Sequence, residues 1–141
     1  MNSEKNYAAA LTEFQTALKV DSTYMAACYH IGRTAALADS SLAQGEESLK
    51  KYLGYTPKDN EPTLARAHYY LGAISYSKGD AKSAEAEYRE ADRIDPRDPR
   101  PLTSLCQMQA ALKKDDVEST RKLIAQRFGD QSKALLVQCA P

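Results

Sequence analysis

The sequence is poor in the residues that bind metals or build disulfide frameworks. Its 141 residues include no Trp, two His and three widely spaced Cys, namely Cys28, Cys106 and Cys139. An odd and scattered set of cysteines predicts neither a disulfide scaffold nor a zinc ribbon. We expect reduced thiols, with Cys28 and Cys106 buried in helices. The sequence also lacks a glycine-rich phosphate loop, a His-Glu-x-x-His motif and a nucleophile elbow. These absences predict a protein that is not an enzyme and that uses no metal and no cofactor.

Charge and hydropathy exclude further classes of function. The 19 Lys and Arg residues balance the 19 Asp and Glu residues, so no overall field attracts nucleic acid or an anionic membrane surface. No apolar run approaches the roughly 18 residues of a membrane span. The N-terminal residues 1–14 are amphipathic and include acids, which is unlike a secretory signal. We therefore expect no nucleic-acid partner and no membrane insertion. The compartment stays open, with the cytoplasm favoured.

Apolar residues spaced three and four apart dominate the rest of the sequence and predict amphipathic helices. The clearest stretch runs from Ala65 to Asp98 and divides into two helices at the turn 78–80. Its landmarks are His68, Leu71, Gly72, Ser75, Ala84, Tyr88, Ala91 and Pro96. The stretch resembles one tetratricopeptide repeat over all of its 34 residues. It departs from the family at two helix-one aromatics, where His68 and Ser75 stand.

The same landmarks recur along the chain. Ala10, Gly45 and Ala84 occupy equivalent positions and are separated by 35 and 39 residues. Compared with a period of about 34 residues, the surplus falls at turns near 39–40 and 58–64. We therefore predict a single tetratricopeptide-like domain, 1–141. Its units are a half repeat 1–24, a repeat 25–64 with an insertion, a repeat 65–98, a degenerate repeat 99–129, and a C-terminal tail or closing helix 130–141.

The resemblance implies an all-α fold, specifically a right-handed α-solenoid of antiparallel helix pairs. Small residues such as Gly72 stand where two helices approach closely, and large residues such as Phe14 and Tyr88 fill the space between pairs. We expect truncation of Phe14 or Tyr88 to alanine to lower the free energy of unfolding by about 3–5 kcal/mol. A leucine at Gly72 should overpack the interface.

The resemblance also implies a binding surface. In this family the first helices of successive repeats line a concave groove that holds peptides. Groove positions of the repeats, with one neighbouring tyrosine, predict a peptide-binding set composed of Tyr29, Arg33, Arg66, Tyr69, Tyr70, Tyr76, Arg100 and Gln107. Arginine pairs bidentately with carboxylates, and tyrosine supplies rigid contact area. The expected partner is a protein or peptide segment with acidic or aromatic residues. The alternative is that these residues form ordinary amphipathic helix surface.

Some family members clamp the C-terminal carboxylate of heat-shock chaperones with lysines, asparagines and an arginine. That pattern is not kept here. Tyr29 stands in place of a lysine, and Arg33 and Tyr70 stand in place of asparagines. Ser104 stands in place of the arginine. We therefore do not expect that ligand.

The expected function is a non-catalytic protein–protein interaction scaffold. Two alternatives remain open. The first helix of the N-terminal unit is missing, which leaves Tyr7, Leu11 and Phe14 with an uncovered side. A second copy of the chain could cover that side, giving a self-associating structural module and a homo-oligomer. Beginning in the middle of a repeat is also compatible with a regulatory segment of a larger multidomain protein.

Overall fold

The computed structural model describes residues 3–139, with side chains described from residue 6 onward. Within that range the chain is helical and contains no strand, which confirms the all-α fold class. The helices are α1 (Ser3–Val20), α2 (Met25–Ala38), α3 (Leu42–Leu53), α4 (Leu64–Ser77), α5 (Ala81–Ile94), α6 (Arg100–Ala111), α7 (Val117–Phe128) and α8 (Ser132–Val137), with a 3-10 turn at Gly129–Gln131 before α8. The outer limits of the predicted domain, at residues 1 and 141, lie outside the described residues.

The turn between α4 and α5 is specified by Gly79 and Asp80, as the sequence predicts. Gly79 has a φ of 83°, in the left-handed region that glycine adopts without steric cost. Asp80 caps α5, because its Oδ1 accepts a hydrogen bond from the Ser83 backbone N–H at 3.1 Å. The two residues end one helix and start the next within a short connection.

The helices pack mainly against their neighbours along the chain. The closest pairs are α2 with α3 and α4 with α5, and α3 and α5 also pack on the helices that follow them. In addition α2 lies against α4, and α4 touches α6. One core cluster, around Leu49 and Ile74, joins α2, α3 and α4. A second cluster, around Tyr88 and Leu105, joins α5, α6 and α7.

Glycines allow the closest helix approaches. A Cβ at Gly32 would overlap the side chain of Leu49 from α3. A Cβ at Gly72 would lie 2.7 Å from two carbons of the Tyr88 ring on α5. Such distances are far inside van der Waals contact, so any larger residue forces the helices apart. The overpacking expected for leucine at Gly72 therefore has a specific partner, the ring of Tyr88.

Helix α1 packs less tightly than its counterparts. Among residues 6–20 no side chain is buried, and Phe14 is half-buried. Phe14 stacks on His30 of α2, with ring centroids 4.9 Å apart. The equivalent residues Leu49 and Tyr88 are 0% and 4% exposed. The first helix thus contributes less to the core than the sequence pattern predicts.

The C-terminal segment is fastened by a disulfide between Cys106 of α6 and Cys139, whose Cα atoms lie 5.5 Å apart. The expectation of three reduced cysteines is therefore wrong for this pair. Only Cys28 is a free thiol within the described chain, and it is buried as expected. The short helix α8 turns the chain back onto α7, where Arg121 donates a hydrogen bond to the Cys139 carbonyl at 2.9 Å.

Candidate interaction site: the arginine–tyrosine cluster

Six of the eight predicted peptide-binding residues meet on one face of the protein. They come from α2, α4 and the start of α6, three helices that lie side by side. We call this set the arginine–tyrosine cluster; it consists of Tyr29, Arg33, Arg66, Tyr69, Tyr70 and Arg100.

Two reciprocal arginine–tyrosine contacts join α2 to α4. The guanidinium of Arg33 on α2 lies 5.9 Å from the ring centroid of Tyr70 on α4. Its Nε donates a hydrogen bond to the Tyr70 hydroxyl at 3.3 Å. In the opposite direction, the guanidinium of Arg66 on α4 lies 5.4 Å from the ring centroid of Tyr29 on α2. Both distances are within the range of cation–π attraction.

A third contact of the same kind joins α6 to α4. The Arg100 guanidinium lies 5.1 Å from the ring centroid of Tyr69, and Ser104 of α6 donates a hydrogen bond to the Tyr69 hydroxyl at 3.4 Å. Arg100 is also held by Asp98, with an Nη2–Oδ2 distance of 2.8 Å. Sequence reasoning does not single out Asp98. Its spacing of two residues from Arg100 at a helix start was the available signal for the ion pair.

The tyrosines form a continuous layer beneath the arginines. Tyr29 is 5.9 Å from Tyr70, and Tyr70 is 5.1 Å from Tyr69, measured between ring centroids. The layer continues to Tyr52 of α3 and Tyr88 of α5, with centroid distances of 5.7 Å from Tyr29 and 5.9 Å from Tyr69. Tyr29 is 0% and Tyr70 6% exposed. The accessible part of the cluster is therefore made by the three arginines and Tyr69.

Tyr76 and Gln107 lie apart from the cluster. Tyr76, near the end of α4, is 39% exposed, and Gln107 of α6 is also exposed. Among residues 6–139, no hydrogen bond or ring contact connects either side chain to the cluster. Their predicted place in the site depends on helix position alone.

The three arginines of the cluster differ in whether they form an ion pair. Arg100 is paired with Asp98. Within the part of the chain whose side chains are described, neither Arg33 nor Arg66 has a carboxylate within ion-pair distance. Within the described residues, these two guanidinium groups therefore lie over tyrosine rings without a carboxylate in ion-pair contact. Such guanidinium groups can bind a carboxylate through two parallel hydrogen bonds.

The phenol of Tyr29 and the imidazole of His30, beside the arginines, are neutral near pH 7. Burial raises the pKa of Tyr29 to about 12, although the positive charges of Arg66, Arg33 and Arg100 oppose this. Burial, together with the charges of Arg33 and Arg66, lowers the pKa of His30 below its ordinary value. The cluster consequently owes its positive charge to its arginines alone, and that charge does not vary across the neutral pH range.

Replacing Tyr29 by phenylalanine should leave the free energy of unfolding at pH 7 unchanged or raise it by about 1 kcal/mol. The Tyr29 hydroxyl is buried and has no hydrogen-bond partner among the described residues. Its pKa is raised from 10.0 to about 12 in the folded chain. Ionisation of the Tyr29 phenol therefore favours the unfolded chain: it costs no stability below pH 10, and it lowers the free energy of unfolding as the pH rises from 10 through 12. Urea unfolding at pH 7 and 11 should show a smaller alkaline loss in the variant.

The matched control for that prediction is Tyr52→Phe. Tyr52 is equally buried, but its hydroxyl donates a hydrogen bond to the Pro62 carbonyl at 2.6 Å. Its removal leaves that carbonyl without this donor, so a loss of about 1–3 kcal/mol is expected. A larger loss for Tyr29→Phe than for Tyr52→Phe would contradict the assignment.

Two cavities of the described chain lie away from the cluster. One of about 380 Å³ lies between α1 and the end of α2, beside Leu11 and Ala38. Another of about 490 Å³ lies between α1, α2 and α3, beside Leu18 and Glu47.

No group of three or more His, Cys, Asp or Glu side chains within the described residues could hold a metal ion. None of the helices over residues 3–139 combines the length and apolarity that a bilayer crossing requires.

Comparisons with known proteins give one partial similarity. No family model matches the chain, and no solved structure matches it. The chain is 32% identical over 93 residues to the probable biofilm formation methyltransferase WspC of Pseudomonas putida. The match covers 66% of this chain and 20% of that protein. The chain thus spans about a fifth of the length of the curated relative it matches.

Proposed function

We propose that this chain is a non-catalytic protein-interaction module and that the arginine–tyrosine cluster holds an acidic segment of a partner protein. The observation that carries the proposal is the pair Arg33 and Arg66. Both lie over tyrosine rings, and neither has a carboxylate partner among the described residues. Carboxylates of a partner would complete an arrangement in which the guanidinium groups are already positioned.

The proposal includes a right-handed solenoid of antiparallel helix pairs, the arrangement implied by the tetratricopeptide resemblance. Its support is the packing of α2 with α3 and of α4 with α5, and the contacts that bring α2, α4 and α6 side by side. In such an array the first helices of the pairs share one face. The arginine–tyrosine cluster comes from α2, α4 and α6, which would be the first helices of the pairs.

The tyrosine layer favours binding in two ways. It replaces water on one side of each guanidinium. It also restricts the long arginine side chains before the ligand arrives, so that they lose less conformational entropy on binding. Partner tyrosines or phenylalanines could extend the same layer, because aromatic rings gain from edge-to-face contact. We therefore expect a segment in which acidic and aromatic residues alternate to bind more tightly than a purely acidic one.

Arg33→Ala and Arg66→Ala should each weaken binding of an acidic peptide by about tenfold to a hundredfold. Each variant removes charge-assisted hydrogen bonds to the ligand carboxylate. The measurement is fluorescence polarisation with a short labelled peptide rich in Asp, Glu and Tyr. Its neutral analogue, with Asn and Gln in place of the acids, should bind weakly or not at all. Affinity should also fall as the salt concentration rises, since exposed charges are screened.

The control for these variants is Arg97→Ala. Arg97 follows α5, and its side chain is 94% exposed. This variant removes the same charge without touching the cluster, so the affinity should stay close to that of the wild type. Unchanged affinity in both cluster variants, with helicity retained by circular dichroism, would exclude the cluster as the binding site.

A second candidate is an accessory segment of a larger protein that carries a methyltransferase activity elsewhere. The similarity to the probable biofilm formation methyltransferase favours it, since the matched region is 20% of that protein. In this reading the chain contributes partner binding and not methyl transfer. Calorimetric titration with S-adenosylmethionine should show no binding to the chain. Measurable binding of this methyl donor would contradict a non-catalytic role.

A further inference from the structure

The carboxylate of Asp98 binds Arg100 as an acidic partner would. The Arg100 Nε donates to both carboxylate oxygens at 3.1 Å, and Nη2 donates to Oδ2 at 2.8 Å. The same guanidinium lies over the ring of Tyr69. One arginine of the cluster therefore already holds an anion on a tyrosine ring, and that anion belongs to the chain itself.

Asp98 lies within the influence of more than one arginine. Burial opposes its ionisation, but hydrogen bonds from the side chain and backbone of Arg100, and the charges of Arg100 and Arg66, hold the pKa of its carboxyl below the usual value. Asp98 is therefore negatively charged at neutral pH. Its side chain is 19% exposed, whereas that of Arg100 is 45% exposed, so an incoming ligand can reach the guanidinium.

We propose that Asp98 is an internal competitor for the acidic partner, which must displace its carboxylate from Arg100 to engage all three arginines of the cluster. This inference rests on the proposed function and adds a regulatory contact to the same site. While the pair is closed, Arg33 and Arg66 remain the free anchors. Exchange of one carboxylate for another at Arg100 keeps the guanidinium paired. The displaced Asp98 carboxylate keeps the hydrogen bond from the Arg100 backbone N–H and the influence of the Arg66 charge.

The competition acts only on ligands that reach Arg100. A ligand with few acids binds Arg33 and Arg66, and the Asp98–Arg100 pair does not oppose it. A ligand with an additional carboxylate at the right distance can take Arg100 as well, but only by displacing Asp98. Asp98 thus reduces the gain in affinity that the additional carboxylate brings.

Asp98→Asn is a suitable variant because it separates the two roles of this side chain. Oδ1 of Asp98 accepts a hydrogen bond from the Arg100 backbone N–H at 3.0 Å, two residues further on, at the start of α6. Asparagine retains an acceptor oxygen and can form the same Asx turn. It lacks the charge that holds the guanidinium. The variant should therefore fold like the wild type and leave Arg100 free.

Asp98→Asn should bind the acidic, tyrosine-containing peptide about two- to fivefold more tightly than the wild type. The gain should vanish when Arg100→Ala is added, because the released guanidinium is then absent. Asp95→Asn serves as the charge-matched control, since Asp95 pairs with Arg97 outside the cluster. It should change the affinity less than Asp98→Asn does. Side-chain NMR of the Arg100 Nε–H group should show its resonance move on Asp98→Asn and on addition of the peptide to the wild type.

The outcomes separate the inference from the proposed function. If the wild type prefers the acidic peptide over its neutral analogue but Asp98→Asn does not tighten binding, the competition is excluded and the binding function stands. A gain that persists in the Arg100→Ala background, or that Asp95→Asn reproduces, also excludes the competition. If neither the wild type nor Asp98→Asn prefers the acidic peptide, both proposals fail.

Discussion

Replacing Tyr88 by alanine is expected to lower the free energy of unfolding by about 3–5 kcal/mol. The Tyr88 side chain is 4% exposed and belongs to the core cluster that joins α5 to α6 and α7. Its ring fills the space that Gly72 leaves on α4 and contacts Tyr69 with centroids 5.9 Å apart. Truncation removes a large apolar surface and leaves a cavity between helices that other contacts hold in place.

Phe14→Ala is the matched variant for this prediction. Sequence reasoning assigned Phe14 and Tyr88 the same cost, because they occupy equivalent positions. In the structure the two residues differ in burial, because Phe14 is only half-buried. Within the described residues, His30 is the one aromatic ring on which Phe14 stacks. We expect a loss of about 1–2 kcal/mol for Phe14→Ala. Urea unfolding monitored by circular dichroism measures both losses, and equal values would contradict the difference in packing.

Cys139→Ser is expected to lower the free energy of unfolding by about 3–4 kcal/mol under oxidising conditions. The disulfide joins residues 33 apart in sequence, and opening it releases the loop-closure constraint on the unfolded chain. The substitution also frees the segment that holds the Cys139 carbonyl against Arg121. The measurement is urea unfolding of the wild type and the variant, each with and without dithiothreitol.

The reductant gives this prediction its internal control. Dithiothreitol should destabilise the wild type to about the level of Cys139→Ser and leave that variant unchanged. Cys28 is a free buried thiol, so Cys28→Ser should respond to the reductant like the wild type. A wild type whose stability does not depend on dithiothreitol would contradict a structural role for the disulfide.

Sequence periodicity predicted the helices and the buried positions of the central units. Ala84, Tyr88 and Ala91 are buried on α5 as expected, and the turn at 78–80 lies where the pattern changes. These features depend on local spacing and on residue size, both of which are visible in a single sequence. The candidate anchors Arg33 and Arg66 have another origin, since they occupy groove positions that the tetratricopeptide resemblance implies.

Other features depend on contacts that periodicity does not encode. The disulfide was missed because the pairing of Cys106 with Cys139 requires the path of the C-terminal segment around α7. Tyr29 was expected in the binding surface, but the packing of α2 on α4 covers it completely. The burial of a side chain that lies between two helices depends on how close the second helix is. The sequence of the first helix alone does not give that distance.

The neighbour-to-neighbour packing of the helices has a consequence for cooperativity. Contacts between adjacent helices close short loops, so each helix pair can form at low entropic cost and with little dependence on distant parts of the chain. The same property lets one end open while the centre stays folded. A ligand that spans α2, α4 and α6 would add links to the direct contacts of α2 with α4 and of α4 with α6. Occupancy of the arginine–tyrosine cluster would then make the opening of one end less frequent.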